Sequence, residues 1–105
     1  MADRDLGKVL VIVPTYNERE SLPVITSGIR HAEPDVHILI ADDNSPDGTG
    51  EVADGLSSQD HFVHVLHRTV KAGLGAAYLD AFSWAKSNGY DVVVEMDADG
   101  SHRPA

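Results

Sequence analysis

The 105 residues contain no cysteine, which excludes a disulfide framework and thiolate metal sites and leaves the redox compartment open. Positive charge is scarce: eight Lys and Arg face seventeen Asp and Glu, a net charge of −9 with His neutral. Such a chain repels a phosphate backbone and lacks the basic footprint of nucleic-acid binders, so no nucleic-acid partner is expected. A polyanionic ligand would need a cation's help to settle on it. Long apolar runs are missing too. The longest, Val9 to Val13, is far short of the ~20 residues of a membrane span, and no basic flank with a cleavage site marks a signal peptide. What is present, 42% apolar and 24% charged residues, suits one core-forming α/β domain rather than a disordered, collagenous or coiled-coil chain.

Val9-Leu10-Val11-Ile12-Val13, ended by Pro14, has the β-branched continuity of a strand covered on both faces. Ser21 is placed to cap a helix that tolerates Pro23 in its first turn and repeats Leu22, Ile25 and Ile29 up to His31. Val36 to Ala41 repeats the buried-strand pattern and runs into Asp42-Asp43-Asn44-Ser45-Pro46-Asp47-Gly48, a dense set of turn formers. Thr49 is placed to cap a short helix with Val52, Ala53 and Leu56, and Phe62 to Leu66 reads as a third strand. After the polar loop His67 to Ala72, a longer helix carries Leu74, Ala77, Tyr78, Ala81, Phe82 and Ala85 on one stripe and stops at Asn88-Gly89. Val92 to Met96 is a fourth strand.

The order βαβαβαβ predicts a parallel sheet with right-handed crossovers and helices on its faces. All four strand ends then point one way, where such sheets hold their ligands. Pro14 to Glu18, Asp42-Asp43, His67-Arg68 and Asp97-Ala98-Asp99 should therefore share one rim. The last loop stops at Pro104-Ala105, directly after the most polar turn, so the sheet is expected to be truncated after its fourth strand.

Asp97 and Asp99 offer two hard oxygen donors from one turn, which suits Mg²⁺ or Mn²⁺ on a substrate phosphate; alone, such a triplet also fits a solvated acidic turn. Asp42-Asp43 has the same ambiguity, since turn formation explains one of the two more readily than both. Gly73-Leu74-Gly75 lacks the third glycine of a dinucleotide fingerprint, Tyr78 standing in its place, and it opens the third helix rather than the first. It fits either a tight turn or a close backbone approach to an anion. No Gly-x-x-x-x-Gly-Lys-Ser/Thr loop exists, and no Ser-His-Asp order with a nucleophile elbow is readable. Of the six His residues, His31, His37, His61 and His64 read as surface or strand positions, and only His67 and His102 fall on the rim. Met96, Tyr78, Phe82 and Trp84 read as core or half-buried packing residues.

Val11 to Glu18, Ala41 to Thr49, Gly73 to Ala77 and Met96-Asp97-Ala98-Asp99-Gly100-Ser101-His102 occur in an order that resembles family-2 glycosyltransferases of the GT-A fold. The Asn44 to Thr49 and Asp97 to His102 versions are similar to the polyprenyl-phosphate (dolichyl-phosphate) mannose synthase branch, the actinobacterial type especially. The resemblance spans essentially the whole chain. It implies that residues 1–105 are the nucleotide-sugar-binding amino-terminal part of a single GT-A domain, and that the enzyme moves mannose from GDP-mannose to a polyprenyl phosphate with inversion. On that resemblance, Pro14, Tyr16 and Glu18 line the nucleotide pocket, Ala41 and Asp43 meet the guanine, and Asp97 and Ala98 contact the nucleotide sugar. Asp99 holds Mg²⁺ or Mn²⁺ on the diphosphate, with Ser101, where family members often have Gln, as a further metal residue. The same resemblance implies a peripheral enzyme on the cytoplasmic face of the cell membrane, with membrane contact or a membrane-anchoring partner supplied outside these residues.

Two rivals come from other classes. A response-regulator receiver is also a small acidic α/β domain, but its acidic pair follows the first strand, where this chain has Pro14-Thr15-Tyr16. A nucleotide-binding fragment without catalysis is the other, and transfer of a different hexose, such as glucose, is the alternative within the family. The acceptor half of the family's domain is expected to lie beyond these residues, so the chain by itself is expected to be inactive.

Overall fold

The computed structural model describes residues 8–69 and 74–96. The elements run β1 (Val9–Thr15), α1 (Ser21–Ala32), β2 (His37–Asp42), α2 (Thr49–Gln59), β3 (Val63–His67), α3 (Leu74–Ser87) and β4 (Val92–Glu95). All three strand pairs are parallel, and the sheet order is β3-β2-β1-β4. The chain steps twice in one direction, from β1 through β2 to β3, then crosses back to place β4 on the far side of β1. Right-handed crossovers require the first two helices to lie on one face and the reversing helix on the other.

The core follows that rule. Val11, Val13, Ile38 and Ile40 turn toward Leu22, Ile25 and Ile29 of α1 and Ala53 of α2. The alternate residues Leu10, Ile12, Leu39 and Ala41 turn toward Ala81 and Ala85 of α3. This two-sided burial is why β1 and β2 read as continuous apolar runs rather than alternating ones. Leu10, Ile12, Ile38, Leu39 and Ile40 are fully buried, each side chain contributing roughly 1.5–3 kcal/mol of transfer free energy. On α3 the buried stripe is Ala77, Ala81 and Ala85, small residues that let the helix lie close to the sheet, whereas Phe82 is 38% exposed and stacks on Tyr78 along the helix. Among the described residues β4 is an edge strand: Val93 joins the α3-side core, while Val92 and Val94 are exposed.

Two helix starts differ from the sequence expectation. Ser21 is the first helical residue, not the cap. Glu20 before it already has helical backbone angles, and the Leu22 N–H donates to the Glu18 carbonyl at 3.0 Å, so the turn begins earlier. Thr49 is likewise inside α2. Gly48 holds the cap position at φ +94°, a left-handed conformation that glycine adopts without a Cβ penalty. Asp47 does the capping, its Oδ1 accepting the Thr49 N–H at 3.0 Å and the Thr49 hydroxyl as well. That hydroxyl holds the Asp47 carboxyl below its ordinary pKa.

Candidate functional site

Parallel pairing brings the carboxyl ends of the four strands to one rim, and strand order reverses between β1 and β4. Open α/β sheets hold ligands in the crevice at such a reversal. Pro14 is buried at the end of β1, opposite Ala41. The Met96 N–H donates to the Ile12 carbonyl at 2.9 Å. In a parallel ladder the next bond would come back from residue 14, and proline has no N–H to give. Pro14 therefore leaves that one bond of the β1–β4 ladder unmade beside Met96, the last described residue before Asp97-Ala98-Asp99 in the sequence. Asp97, Ala98, Asp99, Ser101 and His102 lie outside the described residues, as does Gly73.

The two neighbouring aspartates at the end of β2 have different work. Asp42 is buried and accepts the Thr15 hydroxyl at 2.8 Å, the Ser45 hydroxyl at 2.6 Å and the Ser45 N–H at 3.1 Å. Every strong acceptor direction it uses is spent on the frame. Asp43, one residue on, instead pairs with the guanidinium of Arg68, and both side chains are only 9% exposed. Arg68 leaves the end of β3 with its N–H donated to the Asp42 carbonyl at 2.8 Å, and its Nε reaches Asp80 of α3 at 2.9 Å. One guanidinium thus joins the β2 end, the β3 end and α3.

Tyr16 is exposed at the rim and Glu18 half-buried, with Glu18 Oε1 accepting the Tyr16 N–H at 3.4 Å. Tyr16, Glu18, Asp43 and Pro14 are therefore brought to one rim. Ala41 is not open there: the whole residue is buried beneath α3 among Leu10, Ile12 and Leu39, in a strand paired on both sides. His67 turns away toward α2, its Nε2 lying 2.8 Å from Asp54 Oδ1. Gly75 at the start of α3 has open space where a Cβ would stand. The sequence places Arg68 on the rim without a role and leaves Asp42 open between a turn former and a metal ligand. Among the described residues, no three His, Cys, Asp or Glu side chains converge as a metal site.

A four-stranded parallel sheet with a strand-order reversal and an acidic rim fits a GT-A-like fold. The glycosyl transferase family 2 model matches residues 10–105, and the chain belongs to that family. It is 62% identical over 102 residues to the polyprenol monophosphomannose synthase of Mycolicibacterium smegmatis, covering 96% of this chain and 38% of the relative. It is 58% identical over 97 residues to the undecaprenyl-phosphate mannosyltransferase of Micrococcus luteus, covering 92% of this chain and 40% of that one. The chain thus spans about two fifths of the length of these relatives. A mannosyltransferase from Pyrobaculum calidifontis, solved in complex with GDP-Man and Mn²⁺, superposes with a TM-score of 0.78 at 26% identity, over 93% of this chain and 29% of that one. No helix among the described residues is long and apolar enough to cross a membrane.

Proposed function

We propose that the protein carrying this chain is a glycosyltransferase that moves mannose from GDP-mannose to a polyprenyl phosphate, with these residues as the nucleotide-sugar-binding part of one GT-A domain. The observation that carries the reading is the 62% identity to a polyprenol monophosphomannose synthase, sustained over 96% of the chain. In the reaction an oxygen of the acceptor phosphate forms the new bond to the sugar carbon from the side opposite GDP, and the bond to GDP breaks with its electron pair leaving on the diphosphate. The configuration inverts. The acceptor is already anionic near neutral pH, so this chain needs no general base.

Pro14, Tyr16 and Glu18 line the nucleotide pocket in this account, and Asp43, held by Arg68, accepts hydrogen bonds from guanine. Asp97 and Ala98 meet the nucleotide sugar. The donors proposed for a dication follow Met96 in the sequence. Two carboxylates and a hydroxyl, Asp97, Asp99 and Ser101, are the hard oxygen set that Mg²⁺ or Mn²⁺ prefers. Asp99 with Ser101 holds the ion, which when bound supplies Lewis-acid stabilisation of the leaving diphosphate. It also offsets the −9 charge of the chain. The lipid acceptor places the enzyme peripherally at the cytoplasmic face of the membrane, with membrane contact or an anchoring partner engaged outside these residues.

Base recognition gives the test. Guanine offers Asp43 both N1–H and N2–H, whereas uracil offers only N3–H. Asp43→Ala in the natural polypeptide should weaken GDP binding by about tenfold or more, the scale of a charge-assisted hydrogen bond, and weaken UDP binding less. Equal losses for the two nucleotides in calorimetry would overturn the role of Asp43.

A further inference from the structure

The segment Ser45-Pro46-Asp47-Gly48-Thr49 has no ligand role in the account above, yet it makes the most regular set of contacts at the rim. Three consecutive amides of the loop after β1 each donate to a side-chain oxygen of this segment. The Asn17 N–H reaches Ser45 Oγ at 3.0 Å, the Glu18 N–H reaches Thr49 Oγ1 at 3.0 Å and the Arg19 N–H reaches Asp47 Oδ2 at 3.4 Å. We propose that Ser45, Asp47 and Thr49 are positioning residues that clamp the Tyr16–Glu18 loop in its nucleotide-binding shape. The inference rests on the proposed nucleotide site.

The direction of each bond is forced. Asp42 is a buried carboxylate and can only accept, so the Ser45 proton points to Asp42 Oδ1 at 2.6 Å and the remaining lone pairs of Oγ face Asn17. Thr49 repeats the device: its hydroxyl proton goes to Asp47 and its oxygen accepts from Glu18. What the clamp holds is not a relaxed loop. Asn17 stands at φ +56°, a left-handed conformation uncommon for any residue with a Cβ though best tolerated by Asn and Asp. The reversal at Asn17 separates Tyr16, exposed at the rim, from Glu18, half-buried against α2's first turn. Without acceptors for amides 17 to 19, the loop has little reason to keep that turn. The acceptors recur at every second residue, 45, 47 and 49, and Gly48 at φ +94° turns the chain between the last two. A tight loop of Pro and Gly explains the composition of the segment, but not why its three polar side chains all take amides from one other loop.

The test uses the natural polypeptide with Ser45→Ala, and Asp47→Asn, whose side-chain oxygen can still cap α2, as a second variant that keeps the fold. Ser45→Ala should raise the Kd for GDP and the KM for GDP-mannose by roughly three- to tenfold, the worth of one neutral hydrogen bond. It should leave kcat and the KM for polyprenyl phosphate within about twofold, and Ser45→Thr should restore binding. Amide exchange in Ser45→Ala should quicken at residues 17 to 19 and not in β1 or α1. GDP affinity unchanged in both variants, with wild-type protein binding GDP normally, would overturn the clamp. Wild-type protein that binds no GDP, with exchange still quickened at 17 to 19, would overturn the nucleotide reading and with it the role given to the clamp.

Discussion

Replacing Arg68 by Met keeps much of its volume and removes its charge. Asp43 is then left with its carboxylate 9% exposed and no cation beside it. Stripping one partner from a buried ion pair costs about 3–5 kcal/mol, because the remaining charge stays desolvated. The other arm of the guanidinium is worth far less: Asp80 is 59% exposed, and water and salt screen such a contact to about 1 kcal/mol or below. Arg68→Met should therefore destabilise the chain by about 3–4 kcal/mol and Asp80→Asn by no more than ~1. Against a total of roughly 5–15 kcal/mol for a domain, the first is a large fraction. The double variant Arg68→Met with Asp43→Asn removes the stranded charge and should recover at least ~1 kcal/mol of the loss, a coupling that two independent sites would not show. Urea denaturation followed by fluorescence of Trp84, the single tryptophan, reads this one helical turn beyond Asp80, where it stacks on Tyr90 at 5.8 Å. If Arg68→Met costs no more than Asp80→Asn and the double variant is additive, the pair is screened by solvent and the reasoning fails.

The glycines of α2 separate two cases. Gly55 has open space at its Cβ position, so Gly55→Ala should stabilise by about 0.5–1 kcal/mol. A Cβ on Gly50 would stand 3.2 Å from Oδ2 of Asp42, a carboxylate held by one hydrogen bond at Oδ2 and two at Oδ1, so Gly50→Ala should forfeit that gain; equal melting shifts for the two would refute the tight contact. At the amino end of the sheet, His37 Nδ1 and His64 Nε2 lie 3.0 Å apart, and the Tyr90 hydroxyl lies 3.0 and 3.3 Å from the same two nitrogens. Burial, followed by the nearby cations and, for His37, by His64 itself, lowers both pKa values from 6.5. The unfolded chain then binds more protons, so this stability is complete above about pH 6.5 and is lost as pH falls through the lowered folded values. Melting temperature should fall from pH 7.5 to 5.5 and the slope should flatten in His64→Gln; a flat or rising profile in the wild type would contradict it.

Strands and helices were legible because Val and Ile runs have few other uses, and the shared rim follows from parallel pairing alone. The division of labour between Asp42 and Asp43 was not. The two are identical in type and adjacent; what separates them is that one faces Thr15 and Ser45 and the other faces Arg68, 25 residues away in sequence. Local rules also chose the wrong caps: Ser21 and Thr49 are good capping residues, but a turn begun at Glu18 displaced the first and Asp47 with Gly48 displaced the second. His37 and His64 read as unremarkable strand positions because only the β2–β3 register, with Leu39 opposite His64, brings them together. The amide clamp from Ser45 to Thr49 was hidden for the same reason, since its three amide bonds join the loop after β1 to the segment after β2, which sequence alone does not set side by side.

Sugar transfer itself tests the central claim most directly. The natural polypeptide containing these residues, incubated with labelled GDP-mannose, a polyprenyl phosphate in detergent and Mn²⁺ or Mg²⁺, should yield mannose on the lipid phosphate. Product should vanish in excess EDTA and in Asp99→Asn, while a GDP-binding Asp99→Asn protein remains folded. No lipid product from GDP-mannose, together with product from another nucleotide sugar such as UDP-glucose, would contradict the account.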